Sequence, residues 1–125
     1  STGSVTVSCT LLSGGLTTVS LYAHLSAGSS GSYAMRTMLN GPSALNYNLY
    51  WSPAYTHYAE GDNNEGGDDD SQGNSNGYGY SMGTLTVTPA NPTVAVTGTI
   101  YGRVLAAQDP NPGTFTDTIV VTITY

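Results

Sequence analysis

The sequence predicts an all-β fold, a sandwich of two antiparallel sheets. Helix signals are almost absent, whereas Thr, Val, Tyr and Ile recur in alternating runs. Clusters of Gly, Pro, Asn and Ser separate these runs, as turns do between strands. About seven such runs fit into 125 residues, which is typical of a sandwich and enough for one domain, 1–125.

Two alternating runs, residues 4–12 and 16–25, open the chain. Each has one apolar face, formed by Val5, Val7 and Cys9 on the first run and by Val19, Leu21 and Ala23 on the second. Between them, Ser13, Gly14 and Gly15 predict a turn. We therefore expect the two runs to pair as a hairpin.

The next runs are shorter and end at a change in composition. Residues 33–39 and 44–51 flank a turn at 40–43, and both predict strands. Residues 52–79 are rich in Gly, Asn, Asp and Ser, so this segment is too polar to bury much apolar area. We predict a long surface loop there. Strands resume at 80–88 and, after a turn at 89–92, at 93–104.

The final run, residues 114–125, is the most regular strand pattern in the sequence. One face carries Ile119, Val121, Ile123 and Tyr125, and the other carries Thr118, Val120, Thr122 and Thr124. A strand at the edge of a sheet leaves amide and carbonyl groups that need partners. Another polypeptide could supply them by strand addition, or the first strand could pair with the last within the chain.

Charged residues are few and unevenly placed. Lysine is absent, Arg36 and Arg103 are the only Lys or Arg side chains, and the net charge is −6. This balance disfavours nucleic acid and anionic membranes as partners, because both require a basic surface. No apolar stretch approaches the ~20 residues that span a bilayer. We expect each arginine to pair with Asp117, Asp109 or a carboxyl terminus.

The surface loop predicted at 52–79 holds the best candidate for a metal site. Its acidic residues include Asp62, Glu65, Asp68, Asp69 and Asp70. Calcium takes six to eight oxygen ligands from flexible, Gly-punctuated segments, but the spacing does not match an EF-hand loop. The alternative is a solvated loop without a bound ion. No other cofactor is expected.

Nothing in the sequence predicts an active site. His24 and His57 lie among apolar and aromatic residues, which favours packed or surface imidazoles, and no serine lies on a nucleophile elbow. We therefore do not expect the protein to be an enzyme. Cys9, the only cysteine, is either an inert packed thiol or has a partner elsewhere.

Five pieces of the sequence carry a resemblance to a known family. They are residues 3–10, 33–38 with Arg36, 45–50, 99–104 with Arg103, and 112–125. In this order they resemble the spore coat protein U domain family, whose members build archaic chaperone-usher pili and, in one lineage, a spore coat. The match extends from residue 3 to the last residue.

The resemblance implies an immunoglobulin-like sandwich that lacks its final strand and is completed by donor-strand exchange. It implies export through the periplasm, with a chaperone and an outer-membrane usher, into a cell-surface filament of identical subunits. The groove that receives the donor strand would be bordered by Ile119, Val121, Ile123, Tyr125, Val5 and Val7. Relatives carry a preceding segment with the donor strand and a cysteine that pairs with the one matching Cys9. Here that partner would lie outside these residues, or the fold is completed differently.

Two kinds of function follow. The first is a structural subunit of a fibre or, in the other lineage, of a spore coat. The second is a surface adhesin or glycan-binding module that uses the loop at 52–79. A row of aromatic residues at and before the start of this loop would stack on sugar rings or on a neighbouring subunit if exposed, and packing in and around the core is the alternative. The row consists of Tyr47, Tyr50, Trp51, Tyr55 and Tyr58.

Overall fold

The computed structural model describes residues 1–55, 58–59 and 80–125. Seven strands form this part of the chain, and they confirm the all-β prediction: β1 Thr2–Thr10, β2 Thr17–Leu25, β3 Arg36–Asn40, β4 Ser43–Tyr50, β5 Tyr80–Val87, β6 Thr93–Val104 and β7 Val121–Thr124. A single 3₁₀ turn, Gly28–Ser30, lies between β2 and β3. No helix in these ranges is long and apolar enough to cross a bilayer.

The strands form two antiparallel sheets that pack as a sandwich. Sheet 1 has the order β1-β6-β4-β3, and sheet 2 has the order β5-β2-β7. The two strands predicted on either side of the turn at 40–43 are present as β3 and β4, and they pair with each other from Arg36 opposite Tyr47 to Asn40 opposite Ser43. The prediction of a sandwich, which was based on the runs of alternating residues, is therefore confirmed.

The core lies between the sheets and is formed by the inward-facing side chains of β2 and β5. Leu21, Ala23, Met82 and Leu85 form a buried cluster. Half-buried side chains from β1, β6 and β7 pack against this cluster, among them Val5, Val96 and Ile123. Alternation along β1 and β2 thus places one face of each strand inside, as the sequence predicted.

The predicted opening hairpin is wrong. β1 pairs with β6, from Thr2 opposite Tyr101 to Thr10 opposite Thr93, while β2 pairs with β5 and β7 in the other sheet. The reason is that each strand has one apolar face, and the faces cover each other across the sandwich. A hairpin would have left both of them on the same side of a single sheet.

The prediction of one continuous strand at 114–125 is also wrong. Only Val121–Thr124 forms a strand, in sheet 2 beside β2. Earlier in the segment, Thr116 forms a bridge with Leu39 at the edge of sheet 1. The chain therefore changes sheets between residues 116 and 121. Burial still alternates through this crossing, where Phe115, Asp117 and Ile119 are half-buried.

Candidate functional site

The free edge of β7 is the first feature of the candidate interface. β7 pairs with β2 through four residues, from Val121 opposite Leu25 to Thr124 opposite Tyr22. Across residues 1–55, 58–59 and 80–125, no strand pairs with the other side of β7. An unpaired edge of this kind can accept another strand, because its amide and carbonyl groups lack strand partners.

Side chains of β7 divide between the core and solvent. Val121 and Ile123 are opposite Leu25 and Ala23, whose side chains are buried, so they share the inward face of the sheet. Ile123 packs against the core cluster, but Val121 is 39% exposed and Tyr125, just after the strand, is 90% exposed. The inward face at this edge is thus incompletely covered.

The inward face of β1 is incompletely covered as well. Val5, Val7 and Cys9 pack against the core cluster, yet all three are only half-buried. Across the sandwich, Leu21 and Ala23 are almost fully buried. The apolar interior therefore still has surface that a further segment could cover.

The six predicted groove residues lie on β1, on β7 in the other sheet, and just before and after β7. Val5, Val7 and Ile123 contact one shared core cluster, Ile119 is half-buried before β7, and Val121 and Tyr125 extend toward solvent. Their role in binding a donor strand stays a prediction, as does a disulfide partner for Cys9.

Sequence reasoning missed a buried polar network centred on Arg36, whose side chain is fully buried. Its guanidinium donates to the Ser26 carbonyl through Nε at 3.1 Å and Nη2 at 3.0 Å, and to the Ala59 carbonyl. Nη1 donates to Asn48 Oδ1 at 2.7 Å, and the guanidinium carbon lies 5.3 Å from the centre of the Tyr33 ring. The predicted pairing of Arg36 with Asp117 or Asp109 is wrong.

Asn48 completes the network from β4. It is 1% exposed, and its amide nitrogen donates to the carbonyls of Tyr33 and Ala34 at 2.8 and 2.9 Å. Its Oδ1 accepts from Arg36 and from the Leu49 backbone amide. The network thus ties the segment before β3 to β4 and to the end of β2. The presence of an arginine in the sequence did not predict this network, because most of the acceptors described for Arg36 are backbone carbonyls.

A second polar cluster surrounds Asp117. Its carboxylate accepts from the Tyr47 hydroxyl at 2.7 Å, from the Ser29 amide at 2.9 Å, from the Ser29 hydroxyl and from the Thr118 amide at 2.8 Å. The sequence predicted that an inward Asp117 needs a partner. The structure supplies hydroxyl and amide donors rather than an arginine.

The pKa values of Asp117 and Tyr47 shift in opposite directions. Burial raises the pKa of the Asp117 carboxyl, but the hydrogen bonds from Ser29, Tyr47 and Thr118 outweigh it, so the pKa lies below its ordinary value. For the Tyr47 hydroxyl, burial and then the bond to Asp117 raise the pKa well above its ordinary range. The phenol therefore stays protonated and donates to the carboxylate.

The aromatic residues near β4 mostly belong to the fold. Tyr47 and Tyr50 are buried, and the Trp51 ring stacks on Tyr80 with centroids 4.4 Å apart. Tyr55 is 36% exposed, and the guanidinium carbon of Arg103 lies 5.5 Å from the centre of its ring. Core packing, the alternative to an exposed row for sugars, thus describes Tyr47 and Tyr50.

Most of the loop predicted at 52–79 lies outside the described residues, and so does His57. The candidate calcium ligands Asp62, Glu65, Asp68, Asp69 and Asp70 lie in that part, so calcium binding stays a prediction. Among the residues that the structure describes, no group of three or more His, Cys, Asp or Glu side chains could hold a metal. His24 lines a pocket of about 370 Å³ on sheet 2, with Tyr33, Val120 and Thr122.

A family model described as the Spore Coat Protein U domain matches residues 1–122. No curated protein matches the chain.

Proposed function

Because this chain belongs to the Spore Coat Protein U domain family, a family of pilus and coat structural domains, we propose that it is a structural subunit of an extracellular fibre of the archaic chaperone-usher type. Subunits assemble by donor-strand complementation, in which a strand from a neighbouring copy adds to an open sheet edge. The observation that carries the proposal is the free edge of β7 beside an incompletely covered apolar interior.

The physical chemistry of the edge supports strand addition. A donor strand would pair with backbone groups of β7 and place alternate side chains beside Val121 and Ile123. Fully burying an exposed Val, Leu or Ile side chain contributes about 1.5–3 kcal/mol, which together with the hydrogen bonds to β7 offsets the cost of about 1–2 kcal/mol per residue for ordering the donor. A surface with few charges offers little repulsion between adjacent copies.

The partners and location follow from the same proposal. A periplasmic chaperone covers the open edge before assembly, an outer-membrane usher exports the subunits, and the product is a filament on the cell surface. In the oxidising periplasm Cys9 forms a disulfide with a cysteine outside this segment. The protein has a structural role and no catalytic one, in line with the use of Arg36, Asn48 and Asp117 in bonds within the fold.

Negative-stain electron microscopy of cells that produce the full protein tests the proposal. We expect long, unbranched filaments from the wild type and a strong loss of filaments from Val121→Lys, which places a charge on the inward face of β7. Thr122→Lys is the matched control, because this neighbouring residue is exposed on the outer face. Soluble monomers that bind glycans, or equal assembly of both variants, would contradict strand addition at β7.

A further inference from the structure

Asp117 lies where the C-terminal segment passes from one sheet to the other. Before it, Thr116 exchanges two backbone hydrogen bonds with Leu39 of β3, at 2.9 and 3.0 Å. After it, the Val120 carbonyl accepts from the Ser26 amide at 2.9 Å, and the Val120 amide donates to the Ser26 hydroxyl at 2.9 Å. Only three residues, 117–119, separate these two attachments.

The carboxylate of Asp117 anchors this crossing to three parts of the fold. Its donors come from the 3₁₀ turn, through Ser29, from β4, through Tyr47, and from its own segment, through Thr118. The 3₁₀ turn has no room for a side chain at Gly28, because a Cβ added there would collide with the Asp117 carboxylate. Bonds to an ionised acceptor are about twice as strong as bonds between neutral groups.

The four residues of β7 form too short a strand to fix their own register firmly. A slip by one residue would turn Val121 and Ile123 outward and bring Thr122 and Thr124 inward. An anchor shortly before Val121 prevents this, because it sets how much chain is available to reach β2.

We infer that Asp117 is a positioning residue that fixes the register of β7 and so holds the strand edge in the geometry that an incoming strand requires. The inference rests on the proposed function for its consequence in assembly, while the register itself is a property of the single chain. No contact between Asp117 and a donor strand is involved.

Hydrogen exchange of the purified chain tests the inference without any filament. In Asp117→Asn an amide nitrogen replaces one of the two acceptor oxygens, so it faces a donor on one side, either the Tyr47 hydroxyl or the Ser29 amide, and the negative charge is lost. We therefore expect exchange at Val121–Thr124 to accelerate about tenfold or more, as the loss of a charge-assisted hydrogen bond implies. Exchange in β1 and β6 should stay unchanged. Asp109→Asn, at an exposed carboxylate, is the control and should alter neither region.

Two outcomes would overturn the inference: unchanged exchange in β7, or equal acceleration in β1, β6 and β7, which indicates general destabilisation. Filament counts for Asp117→Asn provide the second measurement, and we expect at least a severalfold decrease. If the wild type forms no filaments, the proposed function fails, whereas local acceleration in β7 still supports the positioning role.

Discussion

Replacing Arg36 with lysine tests whether the guanidinium fork, and not only its charge, holds the buried network together. Arginine donates from three nitrogens to acceptors on Ser26, Asn48 and Ala59. A lysine ammonium offers its donors from one point on a more flexible stem, so it cannot reach all three acceptors at once.

The magnitude follows from the acceptors that lose their donor. With at least two of these charge-assisted hydrogen bonds lost, at about 1.5–3 kcal/mol each, we expect Arg36→Lys to lower the free energy of unfolding by about 3–5 kcal/mol. A domain of this size is stabilised by only about 5–15 kcal/mol, so the loss is a large fraction. The melting temperature should fall by roughly 10 °C or more.

Urea unfolding followed by tryptophan fluorescence measures the loss. Trp51 is the single tryptophan, and its stacking on Tyr80 makes its emission sensitive to unfolding. Arg103→Lys is the matched control, because Arg103 is exposed, and it should cost less than about 1 kcal/mol. A loss below about 1 kcal/mol for Arg36→Lys, or equal losses for both variants, would refute the reasoning.

Three further predictions concern the Asp117 cluster. In a double-mutant cycle of Tyr47→Phe and Asp117→Asn measured by urea unfolding, we expect a coupling energy of about 1–3 kcal/mol, since they share one hydrogen bond, and additivity would contradict it. Because the pKa of Asp117 is lowered in the folded protein, its carboxylate stabilises the fold fully above the ordinary aspartate pKa of 3.8. This stabilisation is lost as the pH falls through the folded-state pKa. Unfolding measured from pH 6 to about pH 2 should therefore show a steeper acid loss in the wild type than in Asp117→Asn, and parallel curves would be evidence against this. Gly28 and Gly31 have φ near +70°, but only Gly28 lies against Asp117, so thermal melting should show Gly31→Ala costing about 1–2 kcal/mol and Gly28→Ala clearly more.

Sequence patterns located most of the strands but did not determine their pairing. Residues 93–104 were predicted as a strand with the bounds that β6 has, because alternation and flanking prolines are local signals. The partners of β1 and β2 were missed, since a Ser-Gly-Gly turn is compatible with both a hairpin and a passage between sheets. Only the burial of two apolar faces against each other decides between them.

The candidate site was predictable in part. The inward residues of the last strand were identified by their period of two, and Asp117 was recognised as needing a partner. Its partners, Tyr47 and Ser29, are distant in the sequence and carry no pattern that links them. Two of the acceptors of Arg36 in the described part of the chain, on Ser26 and Ala59, are backbone carbonyls, which every residue has, so side-chain identity gave no sign of them.

By itself, the sequence determined the all-β class, the residues of most strands and the apolar faces of the first, second and last runs, because these follow from interactions between near neighbours along the chain. Only the tertiary structure decided which strands pair, where the C-terminal segment changes sheets and which groups satisfy Arg36 and Asp117. Those choices depend on groups far apart in the chain that must become close-packed and hydrogen-bonded at the same time.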